Sequence, residues 1–311
     1  MYYYGIDIGG TTIKCGLIKS GGQIITKDEI KTRKEENGKY ILEDIAKYIR
    51  KNNKNLGIKD EEIEAIGLGV PGSVLDNGVV NKCINLGWGV FNVVNEFENL
   101  LHIKTRVGND ANMAALGEYW LGSAKEFSSM VFITVGTGVG GGIIIDGKPV
   151  NGFNGAACEI GHLPIVTEDM GECNCGKKDC LEIVASATGI VRVAKKMLAE
   201  KGNNSTLKRI ENLTAKDVFD EAKKGDLLSI MIVDYVTDYL GRGLAIAAGM
   251  IDPEVFVIGG GVSKAGDYFI DKIRESYKKY VFHPSKYTNI MQAKLLNDAG
   301  MYGCAYLAGC R

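Results

Sequence analysis

The sequence predicts an α/β protein of two domains. Three observations carry this: the chain has 311 residues, its apolar runs read as strands first and then as strands alternating with helices, and a strand, glycine turn, strand pattern occurs twice. One core rarely serves such a length, and domains of about 100–200 residues are the usual solution.

The opening run Tyr2–Ile8 is apolar and aromatic, Gly9-Gly10-Thr11-Thr12 interrupts it, and Ile13–Ile18 resumes before Ser20-Gly21-Gly22, as a β-meander would begin. Between Tyr40 and Arg50, the residues Ile41, Leu42, Ile45, Tyr48 and Ile49 share one helical face. Ile63–Val70 is a buried-strand run stopped by Pro71-Gly72, and a short strand at Thr105–Gly108 leads into a helix from Ala111 to Trp120. The pattern then starts again: Met130–Val135 is a strand, Gly136–Gly142 is dense in glycine, and Gly142–Ile145 continues to a turn at Asp146-Gly147. Residues 187–250 read as mainly helical, Glu254–Ile258 as a short strand running into Gly259-Gly260-Gly261, and Asp298–Cys310 as a small-residue helix. Domains are expected at 1–120 and 121–298, with the helix from about residue 299 to 311 folding back on the first.

Charge excludes some partners. The 37 basic and 38 acidic residues nearly cancel, with no basic cluster to track nucleic acid or anionic lipid. Neither a spanning apolar run of about 20 residues nor a secretory layout is present, so a cytoplasmic protein is expected. Of eight cysteines, Cys173, Cys175 and Cys180 crowd together while Cys15, Cys83, Cys158, Cys304 and Cys310 are scattered. In a reducing compartment the cluster reads as metal ligands and the rest as small buried residues.

Asp7-Ile8-Gly9-Gly10-Thr11-Thr12-Ile13-Lys14 has the content of a phosphate hairpin. Glycines let backbone N–H groups approach oxygens, threonine hydroxyls add donors, and an acid at a strand end can hold Mg²⁺ through water. A hairpin needs glycine anyway, so this turn alone leaves both readings open. Gly136-Thr137-Gly138-Val139-Gly140-Gly141-Gly142 repeats the chemistry, and two such turns would grip a triphosphate from both sides. Neither a Rossmann fingerprint nor a Walker lysine motif accompanies them. His162, Cys173, Cys175 and Cys180 are spaced H-x10-C-x-C-x4-C, one imidazole and three thiolates suited to tetrahedral, structural zinc. Asp110 stands just before an apolar helix, where it could cap that helix or accept a proton from a substrate hydroxyl.

Taken in order, the first hairpin, Gly69-Val70-Pro71-Gly72, Asn109-Asp110-Ala111-Asn112, the second glycine turn, Glu159-Ile160-Gly161-His162 and the cysteine cluster resemble the ROK family of sugar kinases over nearly the whole chain. The resemblance implies a two-lobed, actin-like (ribonuclease-H-like) ATPase fold with ATP in a cleft between lobes, and the glucokinase branch is the most similar. It implies Asp110 as general base in glucose phosphorylation, with sugar contacts at Gly72, Asn85, Asn109, Glu159, His162 and Glu182. ATP would meet Asp7, Gly9, Gly10, Thr11, Thr12, Lys14, Gly136, Thr137, Gly138, Gly260 and Gly261, with Mg²⁺ as co-substrate and zinc beside the sugar. Trp88 could stack on sugar or belong to the core. The family commonly forms homodimers. Another hexose, such as N-acetylmannosamine, N-acetylglucosamine or fructose, is the alternative substrate, and a non-catalytic sugar sensor the alternative class. Since the hairpin begins at residue 5, no winged-helix domain of the ROK repressors is expected ahead of it.

Overall fold

The computed structural model describes residues 1–201 and 204–311. In chain order the strands are β1 (Tyr2–Ile8), β2 (Thr12–Lys19), β3 (Gln23–Lys31), β4 (Ile63–Val70), β5 (Val79–Cys83), β6 (Trp88–Asn92), β7 (Thr105–Asn109), β8 (Ser129–Val135), β9 (Val139–Ile145), β10 (Lys148–Pro149), β11 (Val255–Gly259) and β12 (Asn289–Gln292). The helices are α1 (Glu35–Gly38), a single turn, then α2 (Ile41–Leu56), α3 (Val93–Leu101), α4 (Asp110–Trp120), α5 (Glu182–Ala185), α6 (Ala187–Lys201), α7 (Ala215–Lys223), α8 (Leu227–Ile251), α9 (Asp267–Tyr280) and α10 (Ala299–Ala308).

Two compact units result: residues 1–128, 142–157 and 295–311 form the first, and 129–141 with 158–294 form the second. The first therefore runs past the expected boundary at residue 120. The reason is Glu118, fully buried in α4, which accepts from Ser123 N at 2.8 Å while its own carbonyl accepts from Ala124 N at 3.0 Å. The loop after α4 is thereby folded back on it. Residues 142–157, expected in the second domain, also belong to the first. Asn112 Nδ2 donates to Asn151 Oδ1 at 3.0 Å, Asn151 Nδ2 to Asp76 Oδ1 at 2.8 Å, and Ser73 Oγ to Asn154 O at 2.6 Å.

The first unit's sheet has strand order β3-β2-β1-β4-β7, with β1, β2 and β3 antiparallel and β4 and β7 added parallel to β1. Alternation along β1 sends Tyr4, Ile6 and Ile8 into a cluster with Ile41, Ile45 and Ile49 of α2 and Phe97 of α3. Tyr3, on the opposite face, packs with Met301 and Ala305 of α10. Here α10 lies directly on the strands, since a Cβ on Gly5 would stand 2.0 Å from Met301 O and one on Gly67 1.8 Å from Cys304 O. The same closeness joins α10 to α4. A side chain on Gly303 would begin 1.7 Å from Met113 O, and one on Gly117 2.1 Å from Ala299 O.

A second five-stranded sheet has order β10-β9-β8-β11-β12, repeating the arrangement of the first in which the third strand is followed by two parallel neighbours. In the second unit β11 is buried throughout, and α8 packs against α9, α7 and α6. No helix among the described residues is long and apolar enough to cross a membrane.

Candidate active site

In the first unit, the turn between β1 and β2 is closed by Gly9 N donating to Thr12 O at 3.0 Å. Thr32, just past β3, locks it: its N–H donates to Thr11 O at 3.0 Å and its hydroxyl to Gly9 O at 2.7 Å. Asp7 and Lys14 face each other across this hairpin. Burial pushes the Asp7 carboxyl above its ordinary value, and Lys14 pulls the other way. Gly300 in α10 makes room for that carboxylate, because a Cβ there would lie 2.6 Å from Asp7 Oδ2. Lys14 Nζ donates to Asn297 O at 2.6 Å.

β7 delivers Asn109 and Asp110 to the start of α4. Asn109 is the N-cap: its Oδ1 accepts from Ala111 N at 2.9 Å and from Asn112 N at 3.1 Å. The cap reading of Asp110 is therefore corrected. Asp110 occupies the first helical position, where one carboxylate oxygen accepts from Ala111 N at 2.9 Å. The other end of the Asn109 amide donates to Gly72 O at 3.0 Å, and Gly72 holds φ 111°, a conformation open to glycine. Asn85 is exposed, on the turn between β5 and β6, and its carbonyl is the nearest atom to a Cβ built on Gly10, at 3.9 Å. Gly72, Asn85, Asn109 and Asp110 thus all belong to this unit. Trp88 belongs to the core: it is 5% exposed, its Nε1–H donates to Gly38 O at 3.0 Å, and Phe91 packs edge-on at 5.2 Å. A buried indole needs such a partner.

In the second unit the glycine turn between β8 and β9 is held at several points. Gly136 N donates to Gly138 O at 2.9 Å, Ala187 N to Gly136 O at 2.7 Å, and Thr188 Oγ1 to Thr137 O at 3.0 Å. Val139 N donates to Glu182 Oε2 at 2.8 Å. After β11 the chain turns at Gly260 with φ 83°, and a Cβ there would stand 2.4 Å from Val135 O at the end of β8. Gly136, Thr137 and Gly261 line one cavity of about 550 Å³, within the range of about 300–1,000 Å³ usual for ligand pockets. Thr214, Lys216 and Phe219 of the α7 region also line it and carried no functional sequence reading. A signal existed, since Thr214 and Asp217 form a capping box that marks where α7 begins.

His162, Cys173, Cys175 and Cys180 converge as their spacing predicts, with all ligand atoms within 4.8 Å of one another. Cys175 and Cys180 sulfurs are 3.4 Å apart, and Cys173 Sγ is 3.7 Å from His162 Nδ1. Zinc–sulfur bonds of about 2.3 Å at tetrahedral angles place sulfurs about 3.8 Å apart, so this donor set fits the ion. Backbone bonds shape the loop as well: Cys173 N donates to Lys177 O at 2.7 Å and Gly176 N to Cys173 O at 2.8 Å. Without a cation, burial pushes the Cys180 thiol up to about 12, while the Lys177 backbone N–H lowers that of Cys175. Zinc, when bound, would hold all three as thiolates. Glu159, exposed, precedes the turn carrying His162, and Glu182 opens α5, two residues beyond Cys180.

The ROK family model matches residues 3–310. The chain belongs to the ROK family. A glucokinase of Halalkalibacterium halodurans is 40% identical over 98% of this ROK chain and 94% of its own length. One of Thermotoga maritima is 35% identical over 97% and 95%. Among solved structures, a ROK family glucokinase from Streptomyces griseus in complex with glucose and AMPPNP is 31% identical, covers 99% of each chain and superposes with a TM-score of 0.80. The fold of this ROK protein is the actin-like one, with its two five-stranded sheets.

Proposed function

We propose that this chain is a glucokinase, transferring the γ-phosphoryl group of Mg-ATP to the 6-hydroxyl of glucose with Asp110 as general base. The observation that carries the reading is the division of tasks at α4, where Asn109 caps the helix and the neighbouring carboxylate stands in its first turn. The start of a helix attracts negative charge, which suits a carboxylate there. Asp110 accepts the hydroxyl proton as the new bond to phosphorus forms. Asn109 spends both acceptor positions on the helix and one hydrogen on Gly72 O, and it keeps one hydrogen for a sugar hydroxyl. The two glucokinases of 40% and 35% identity support glucose as the acceptor.

Gly72, Asn85, Glu159, His162 and Glu182 complete the sugar contacts in this reading. His162 would hold zinc by Nδ1, together with Cys173, Cys175 and Cys180, and keep its proton on Nε2, where it can donate to sugar. Asp7, Gly9, Gly10, Thr11, Thr12 and Lys14 take the phosphates and Mg²⁺ from one turn, and Gly136, Thr137 and Gly138 from the other. Gly260 and Gly261 serve the adenosine, supported by the cavity that Gly261 shares with Thr137. Mg²⁺ neutralises charge on the β- and γ-phosphates. A cytoplasmic homodimer is part of the proposal, and light scattering of the purified protein tests the dimer.

The deciding experiment is a coupled assay with Mg-ATP across glucose, mannose, fructose, N-acetylglucosamine and N-acetylmannosamine. Glucose should have the highest kcat/KM. A higher value for an N-acetylhexosamine would reassign the substrate, and no ATP turnover with any sugar would turn the reading towards a sensor.

A further inference from the structure

Three polar groups of the second glycine turn are held by one short segment, Glu182 to Thr188. Glu182 Oε2 accepts from Val139 N at 2.8 Å, Ala187 N donates to Gly136 O at 2.7 Å, and Thr188 Oγ1 donates to Thr137 O at 3.0 Å. The segment is braced internally. Ser186 Oγ donates to Glu182 O at 2.8 Å, lies 3.0 Å from Thr188 Oγ1 and accepts from Gly189 N at 3.0 Å. It begins at the cysteine cluster: Ile183 N donates to Cys180 O at 3.1 Å, and Glu182 Oε1 is 3.7 Å from Cys173 Sγ. One carboxylate therefore has an oxygen on a backbone N–H of the turn and an oxygen beside a ligand sulfur. Gly138 permits this, since a Cβ there would be 2.3 Å from Glu182 Oε2.

We propose that Glu182 is a positioning residue for the nucleotide phosphates, and that zinc at the His162–Cys180 cluster is felt at the glycine turn through it. The inference rests on the reading that this turn meets ATP. A carboxylate accepting from a backbone N–H is among the stronger hydrogen bonds and fixes the direction of the peptide that carries it. Glu182 follows Cys180 by two residues, so whatever holds Cys180 holds the start of α5 as well. A tetrahedral ion fixing Cys173 and Cys180 together would fix both neighbours of the carboxylate in one body. If the loop relaxes, the acceptor for Val139 N moves with it, and the turn loses its shape before any ligand touches it. Glu182 can still accept from a sugar hydroxyl, because each carboxylate oxygen has two lone pairs. Its added role is to make the phosphate turn depend on the metal loop.

The test measures binding of AMPPNP by calorimetry without sugar, zinc per chain, and the steady-state constants for ATP and glucose. Four proteins are compared: the parent, Glu182→Ala, Glu182→Gln and Thr188→Val. Glu182→Ala should weaken AMPPNP about tenfold, equivalent to about 1.4 kcal/mol, with zinc retained. Glu182→Gln should recover much of this, as an amide oxygen can still accept from Val139 N. Thr188→Val should raise the ATP constant severalfold with the glucose constant and zinc unchanged, and it serves if Glu182→Ala fails to fold. Chelation of zinc should weaken AMPPNP in the parent and add little in Glu182→Ala, because both act on one link. AMPPNP binding unchanged in Glu182→Ala and Thr188→Val, or equal losses on chelation in parent and Glu182→Ala, overturns the proposal. Failure of the glucokinase reading is seen separately, as absence of sugar phosphorylation in a parent that still binds AMPPNP.

Discussion

Asn109 Oδ1 lies 2.9 Å from Ala111 N and 3.1 Å from Asn112 N, so the cap of α4 is the residue before Asp110. This separates the support of the helix from the chemistry proposed for the carboxylate. Each can be removed alone.

Asp110→Asn should fold with the parent's melting temperature and lose about 10²–10⁴ in kcat, the usual contribution of a positioned general base. Asn109→Ala should instead cost about 1 kcal/mol of stability through the lost cap and raise the sugar constant as Gly72 loosens. Circular-dichroism melts and steady-state kinetics on both variants check this. Near-parental turnover in Asp110→Asn would falsify the base assignment.

Glu182 occupies the space that a Cβ on Gly138 would need. Gly138→Ala should therefore already raise the ATP constant, and Gly138→Val should raise it further while affecting the glucose constant less. Combined with Glu182→Gln, the effect of Gly138→Ala should be less than additive, since the two share one contact. Strict additivity in the double-mutant cycle would mean that the carboxylate is not what the new side chain meets.

Cys175→Ser should bring zinc towards zero and lower the melting temperature, because an ion bound only by the folded chain adds its binding energy to folding. Both the glucose and ATP constants should rise. Elemental analysis of protein never exposed to chelator comes first, and less than about half an equivalent per chain would count against the four-ligand site.

Asp7 sets a pH dependence whose sign follows from burial. Its folded carboxyl titrates above the ordinary value, so the folded chain binds this proton more tightly than the unfolded one. The stabilising contribution is fully present below the unfolded pKa and is lost as pH rises through the folded value. At neutral pH, above the unfolded value, burial of this carboxyl therefore opposes folding. Asp7→Asn should melt above the parent at neutral pH, by a margin that shrinks towards pH about 4, where the free side chain itself titrates, and its Mg-ATP constant should rise. A melting series over that range, with the variant never above the parent, would show that burial of Asp7 is not the governing effect.

Much of the frame was legible because buried strands are apolar runs bounded by glycine. β1, β2, β4, β8 and β11 carry that signature, and α4 follows its capping asparagine. β3 carried no specific reading: Gln23–Lys31 is mostly charged or polar, and its alternating exposure leaves only Ile24, Thr26 and Ile30 partly covered. α9 and β12 were not read either. Among candidate site residues, the clustering of His162, Cys173, Cys175 and Cys180 was readable because chemistry and spacing are both local to a short loop. The bond from Val139 to Glu182 was not, since it joins a backbone N–H to a carboxylate 43 positions away and no side-chain pattern announces a backbone donor. Trp88 could be read as core or as a sugar platform until the Gly38 carbonyl that receives its proton was located.

The contact between α4 and α10 has a temporal side. Glycines at 117 and 303 let the two backbones touch, with Gly303 against Met113 O and Gly117 against Ala299 O. During synthesis, which proceeds from the N-terminus and favours early folding of what has emerged, the helix bearing Asp110 leaves the ribosome long before its partner exists. Until α10 arrives, the face of α4 lined by Met113 and Gly117 has no cover, as do Gly5 and Gly67 on the sheet. The residues of the second unit, complete by residue 294, are therefore all synthesised ahead of the cover for α4. The contact between α4 and α10 therefore waits for residues 299–308.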